Sequence, residues 1–238
     1  MAYTIPLDAA QLGSQASFAV KAMNDRGKDA GFSNVVSLRI ANLPEPPSDL
    51  QINLTERAVR LSWESSPQSA FGGSAPPVDG YQVLRQDAGS PAPAAVIGES
   101  QSPDYNDAAF EFEHRYLYSV RAFVREGNSL ATTPASASAE VAAVDRFPPA
   151  APENLRAVAF PGAVELAWSP NSEPDLAGYN VYRSEGDAFT RINPELLRIP
   201  VFRDATVRPG VRYRYQVRAS DAKGNESGPS EEVAATAE

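Results

Sequence analysis

The sequence predicts an all-β chain of tandem β-sandwiches, two complete and one partial. Three observations carry this. One strand pattern occurs three times, as Ala16-Ser17-Phe18-Ala19-Val20-Lys21-Ala22, Tyr116-Leu117-Tyr118-Ser119-Val120-Arg121-Ala122 and Arg212-Tyr213-Arg214-Tyr215-Gln216-Val217-Arg218-Ala219. In the last copy apolar and polar residues alternate strictly, the period of a strand with one face on a core and one in water. The copies lie roughly one hundred residues apart, the spacing of a repeated small domain. Proline is abundant, apolar residues come in short runs, and no stretch keeps a helical apolar period over three turns.

The elements follow in order. Residues 1–43 hold only the last strands of a repeat: Tyr3 to Leu7, then Ala16 to Ala22, a turn at Asn24-Asp25-Arg26-Gly27, and a strand through Val35, Val36, Leu38 and Ile40. The proline-rich segment Asn42 to Pro47 is a short, stiff linker, because proline fixes φ. Residues 44–146 form the first complete domain. Val59, Leu61 and Trp63 make a half-buried strand, and Ser65 to Pro77 reads as a long loop. Tyr81 and Val83, Val96-Ile97, Tyr105 to Ala109, Tyr116 to Phe123 and Ala137 to Val144 supply the other strands. A second proline linker, Arg146 to Pro152, leads into residues 147–238. Seven short strands separated by turn signals read there as a sandwich.

Composition excludes several functions. A formal net charge of -9 lacks the basic footprint of a nucleic-acid binder. Without cysteine there is no disulfide, thiolate metal site or cysteine nucleophile. No apolar run is long enough to span a bilayer. The first residues lack the basic and apolar regions of a signal peptide. The expected location is extracytoplasmic (secreted, periplasmic or cell surface), with the signal segment absent from this chain.

Several motifs carry a family likeness. Pro152-Glu153-Asn154-Leu155, Leu166-Ala167-Trp168, Gly178-Tyr179-Asn180-Val181-Tyr182-Arg183, and Pro209 to Ala219 followed by Gly224, Ser227 and Ser230 resemble a fibronectin type III domain. Leu61-Ser62-Trp63, Gly80-Tyr81-Gln82-Val83 and Tyr116 to Ala122 match in the preceding domain. The resemblance implies an immunoglobulin-like sandwich of three strands against four, with Trp63 and Trp168 in the cores against Tyr81 and Tyr179. It also implies corner tyrosines, Tyr116 and Tyr213, whose hydroxyls bond nearby backbone. Asp175-Leu176-Ala177-Gly178-Tyr179 is similar to bacterial members, which are mostly accessory modules of secreted or surface proteins.

Candidate sites are few. The single histidine, His114, has no nucleophile near it in sequence and reads as a solvated turn residue. Glu173, Asp175, Asp204 and Asp221 show no dense ligand pattern for calcium, and Asp175 and Asp204 read as turn caps. The expectation is therefore no catalytic residue, no metal and no cofactor. Arg212, Arg214 and Arg218 form an outward basic stripe, expected to pair with carboxylates such as Glu231 or Glu232. Partner binding is expected at the sandwich end formed by Phe71, Arg125 and Asn128. A second surface is the apolar face of the partial repeat, with Phe18, Val20 and Leu38.

The functional expectation is a non-catalytic spacer or protein-interaction scaffold, its partner a protein or a surface polymer. The alternative is an accessory carbohydrate-binding region of a secreted polysaccharide-active enzyme, which three coplanar exposed aromatics on one sheet would favour. Two accounts of the partial repeat stand: a homodimer covering its face, or front strands that precede Met1, the second being preferred.

Overall fold

The computed structural model describes residue 5, residues 8–126 and residues 129–238. The chain divides into two compact units, Met1–Val144 and Asp145–Glu238.

The first unit begins with a 3-10 turn, Ala9–Gln11, capped by the Asp8 side chain. Strands β1 (Gln15–Phe18), β2 (Lys21–Met23), β3 (Asp29–Phe32) and β4 (Val36–Arg39) follow. A sandwich comes next, from β5 (Ser48–Leu54), β6 (Val59–Glu64), β7 (Gly80–Asp87), β8 (Ala95–Ser100), β9 (Asp104–Asp107), β10 (His114–Glu126), β11 (Ser129–Thr132) and β12 (Ala139–Ala143). One sheet has the order β5-β6-β9; the other runs β11-β10-β7-β8, with β12 also on β10. Alternation in β6 buries Val59, Leu61 and Trp63 and exposes Arg60, Ser62 and Glu64, the pattern a half-buried strand requires.

The second unit repeats the plan with β13 (Arg156–Phe160), β14 (Ala163–Ala167), β15 (Leu176–Ser184), β16 (Thr190–Arg191), β17 (Val201–Asp204), β18 (Arg212–Asp221) and β19 (Val233–Thr236). Its sheets are β13-β14-β17 and β16-β15-β18-β19, three strands against four. The indole of Trp168 meets Tyr179 edge-on at 5.2 Å, and Trp63 meets Tyr81 the same way at 5.3 Å. The Tyr116 hydroxyl accepts the Glu111 amide and the Tyr213 hydroxyl accepts the Arg208 amide. Both corner tyrosines thus fill the core with the ring and satisfy the polar tip on backbone.

Gly80 opens the third strand of the first sandwich and Gly178 lies two residues into that of the second, at φ 158° and 157°. A Cβ at either would stand 2.6 Å from a backbone oxygen, that of Ser100 or Leu197. The close approach of neighbouring backbone is what requires glycine there.

The partial repeat follows the same scheme. Ala16 faces Leu38 and Phe18 faces Val36, as Tyr213 faces Ala235 and Tyr215 faces Val233. The Val20 amide donates to the Ser33 hydroxyl, as Val120 does to Ser136 and Val217 to Ser230. One correction applies: the continuous strand expected over Ala16 to Ala22 is split between β1 and β2, which lie in different sheets. The split falls at Ala19 and Val20: β7 and β15 pair along β10 and β18 through the matching point, and among the described residues β1 and β2 have no such neighbour. Of the expected strand from Tyr3 to Leu7, only Ile5 lies within the described residues.

Candidate functional site

The polar groups with the strongest environments serve the fold. At the end of β9 the buried Asp107 carboxylate accepts from Arg85 at 2.7 Å and from the Tyr118 hydroxyl at 2.8 Å. Asp204 at the end of β17 does the same with Arg183 at 2.8 Å and Tyr215 at 3.0 Å. Arg85 lies over Tyr116 and Arg183 over Tyr213, each 4.8 Å from the ring centre. Burial, and then the neighbouring carboxylate, push the Tyr118 and Tyr215 hydroxyls up, so both stay protonated donors. Burial alone would raise the Asp204 carboxyl. The Thr206 hydroxyl and amide and the Arg183 guanidinium outweigh it and hold the group below its ordinary value. Asp204 caps a turn, as expected, through Thr206, but it is also the buried hub of a network that the turn reading missed.

Among the described residues no hydrogen bond, ion pair or ring contact joins Phe71 to Arg125 at the expected sandwich end. Phe71 is half-buried. Its loop is tied to residues 42–45: the Ala70 amide donates to the Leu43 carbonyl, Glu45 to Gln68, and the Ser69 hydroxyl to Asn42. Arg125 pairs with Glu99 at 2.6 Å, donates its amide to Asp79 and lies over Phe123. Asn128 lies outside the described residues. Phe18, Val20 and Leu38 are 36%, 73% and 48% exposed.

His114 is no turn residue; it is the first residue of β10, stacks on Tyr116 and sits 3.5 Å from the Glu111 carboxylate. Strand pairing places it there. In the basic stripe, Arg214 pairs with Glu232 at 3.4 Å, but Arg218 takes Glu226 at 3.6 Å. Tyr182 also donates to Glu226 and lies under Arg218. One carboxylate thus takes both the Tyr182 hydroxyl and the Arg218 guanidinium.

Asp145, Asp175 and Asp221 converge, one oxygen from each lying within 4.8 Å of the others. Three separate segments bring them together, so no local ligand pattern announces them. The buried Asp221 already accepts the Lys223 and Asn225 amides and the Asn225 side chain.

A concave trough of about 540 Å³ lies on the outer face of the β13-β14-β17 sheet. Val158, Phe160 and Val201 stand outward on it, 54%, 39% and 47% exposed. Ala167 forms the low floor between Arg156 and Val201, its partners in register. Arg203 is ion-paired with Glu165 at 2.5 Å. Among the described residues the Arg156 guanidinium has no hydrogen-bond or ion-pair partner.

No family model matches the chain. It is 28% identical over 199 residues to exoglucanase B of Cellulomonas fimi, covering 81% of this chain and 16% of that protein. It is 37% identical over 93 residues to the amylopullulanase of Thermoanaerobacterium thermosulfurigenes, covering 38% and 5%. It thus spans less than a fifth of either curated relative. Among solved structures, a Fn3-like protein from Clostridium thermocellum is 30% identical, with 38% of this chain and 94% of that one covered, at a TM-score of 0.34. With paired tryptophan and tyrosine cores and corner tyrosines in both sandwiches, three strands against four in the second, and that identity along nearly the whole Clostridium protein, the chain belongs to the fibronectin type III family.

Proposed function

We propose that this chain is a non-catalytic accessory region of an extracytoplasmic polysaccharide-active protein, in which its repeats serve as spacer and scaffold. The observation that carries this reading is the alignment of 81% of the chain to one stretch of an exoglucanase, a stretch that makes up 16% of that protein. The side-chain chemistry agrees with it. The buried carboxylates Asp107 and Asp204 are held by arginine and tyrosine inside each sandwich, away from any open surface where a sugar could be cleaved. Glycoside hydrolysis needs two carboxyl groups flanking a substrate cleft, and the trough on the last repeat has the single carboxylate Glu165, paired with Arg203.

Incubating the purified chain with soluble β-glucan, starch and pullulan tests the reading. Release of reducing sugar should not exceed that of buffer. Robust turnover that survives repurification would overturn it.

A further inference from the structure

The two complete repeats differ on the outer face of their three-stranded sheets. The register aligns them residue by residue, because Ile52 faces Leu61 and Leu61 faces Tyr105 where Ala157 faces Leu166 and Leu166 faces Phe202. Val158 then corresponds to Asn53, Phe160 to Thr55, Ala167 to Ser62 and Val201 to Asp104. The earlier repeat wets this face with polar side chains, so the fold does not require apolar residues there. The last repeat keeps them outward at a solvation cost that its own core does not recover.

We propose that this trough binds a single chain of an extended, ribbon-like β-glucan. The inference deepens the accessory-region reading and rests on it. Three strands about 4.8 Å apart give a flat bed roughly 10 Å across. A flat sugar ribbon can lie on such a bed, its C–H faces on Val158, Phe160 and Val201 and its edge hydroxyls toward the rim. The rim's charges discriminate between partners. Arg203 is already neutralised by Glu165, and Arg156 offers several unfilled N–H donors. A protein seated here would have to bring one carboxylate placed for Arg156 alone. Sugar hydroxyls, which both donate and accept, match a mixed rim of this kind without further charge. Of the two phenylalanines that line the bed, Phe202 packs against the core and Phe160 alone stands outward, beside aliphatic neighbours, so the site is weak and suited to a polymer that offers many repeats of the same unit.

The test uses the full 238-residue chain. Retardation is measured by affinity electrophoresis in gels containing hydroxyethylcellulose or pullulan, and retention by sedimentation with microcrystalline cellulose or granular starch. The wild type should be retarded and retained by the cellulose-type polymers. The variant Val158→Asn/Phe160→Thr/Val201→Asp carries the residues that the preceding repeat has at these positions. It should lose about tenfold in retention, the equivalent of about one aliphatic side chain's burial, with an unchanged melting temperature. The reciprocal variant Asn53→Val/Thr55→Phe/Asp104→Val should gain retention, which a folding defect cannot mimic. Absence of wild-type binding to cellulose-type polymers overturns the proposal, as does equal binding by the first variant. Binding confined to starch or pullulan overturns the ribbon assignment. None of these outcomes touches the non-catalytic reading, which stands or falls on turnover.

Discussion

Two strand pairs of this chain share a register and differ in what faces them. In the last repeat Tyr215, opposite Val233, is fully buried. In the partial repeat Phe18, opposite Val36 in the same scheme, is 36% exposed. Both carry the same serine on the same backbone amide, Ser230 on Val217 and Ser33 on Val20. Local pattern and turn chemistry therefore suffice to set the hairpin. Burial needs the second sheet, which supplies Val164, Leu166 and Trp168 in the complete domain. Most of the stability of such a domain lies in that contact between sheets rather than in the ladder.

The comparison can be broken at several strengths. The largest expected effect is Trp168→Ala, which should cost about 3–5 kcal/mol and melt the second unit while leaving the first near its own transition. Calorimetry resolving the two units would reveal it. Next comes Tyr215→Phe, which removes a hydrogen bond to the buried Asp204 carboxylate at a cost of about 1.5–3 kcal/mol. Tyr118→Phe should cost a similar amount through Asp107, since the two networks are alike. Denaturation midpoints that differ widely between these two variants would show that the repeats do not share an energetic design.

Acid should weaken the second unit through Asp204. Its carboxyl is held below the ordinary 3.8 in the folded state, so its contribution is complete above that value and is lost as pH falls through the lower, folded value. Asp204→Asn should flatten the stability–pH curve below about pH 4. The smallest effect is expected at the uncovered hairpin. Phe18→Ser should change stability by within about 0.5 kcal/mol, whereas Tyr215→Ser should approach the tryptophan value. A large loss from Phe18→Ser would mean that this face is already covered in solution.

Strands and cores were legible because burial here follows a strict period of two, as in Val59, Leu61 and Trp63. The Asp–Arg–Tyr networks were not, since Arg183, Asp204 and Tyr215 sit on three strands and no local spacing links them. The trough escaped for another reason. In Arg156-Ala157-Val158-Ala159-Phe160 the alanines lean toward the core and the larger apolar residues face water, so hydrophobicity alone points to the wrong side. Convergence of Asp145, Asp175 and Asp221 likewise depends on tertiary structure, and Arg218 chose Glu226 over the expected carboxylates because the Ser220–Glu226 bridge brings that residue alongside.

The serine that anchors each last hairpin has a consequence for how these repeats vary. The anchored pair is separated by 13 residues in the partial repeat, 16 in the middle one and 13 in the last, yet the ladder beyond it keeps its register. The side chain acts as a clasp that closes the hairpin whatever length of chain passes between its ends. Foreign peptides spliced between Asp221 and Ser227 should therefore be displayed on an intact sandwich, which makes this bend a natural point for grafting new recognition onto the array.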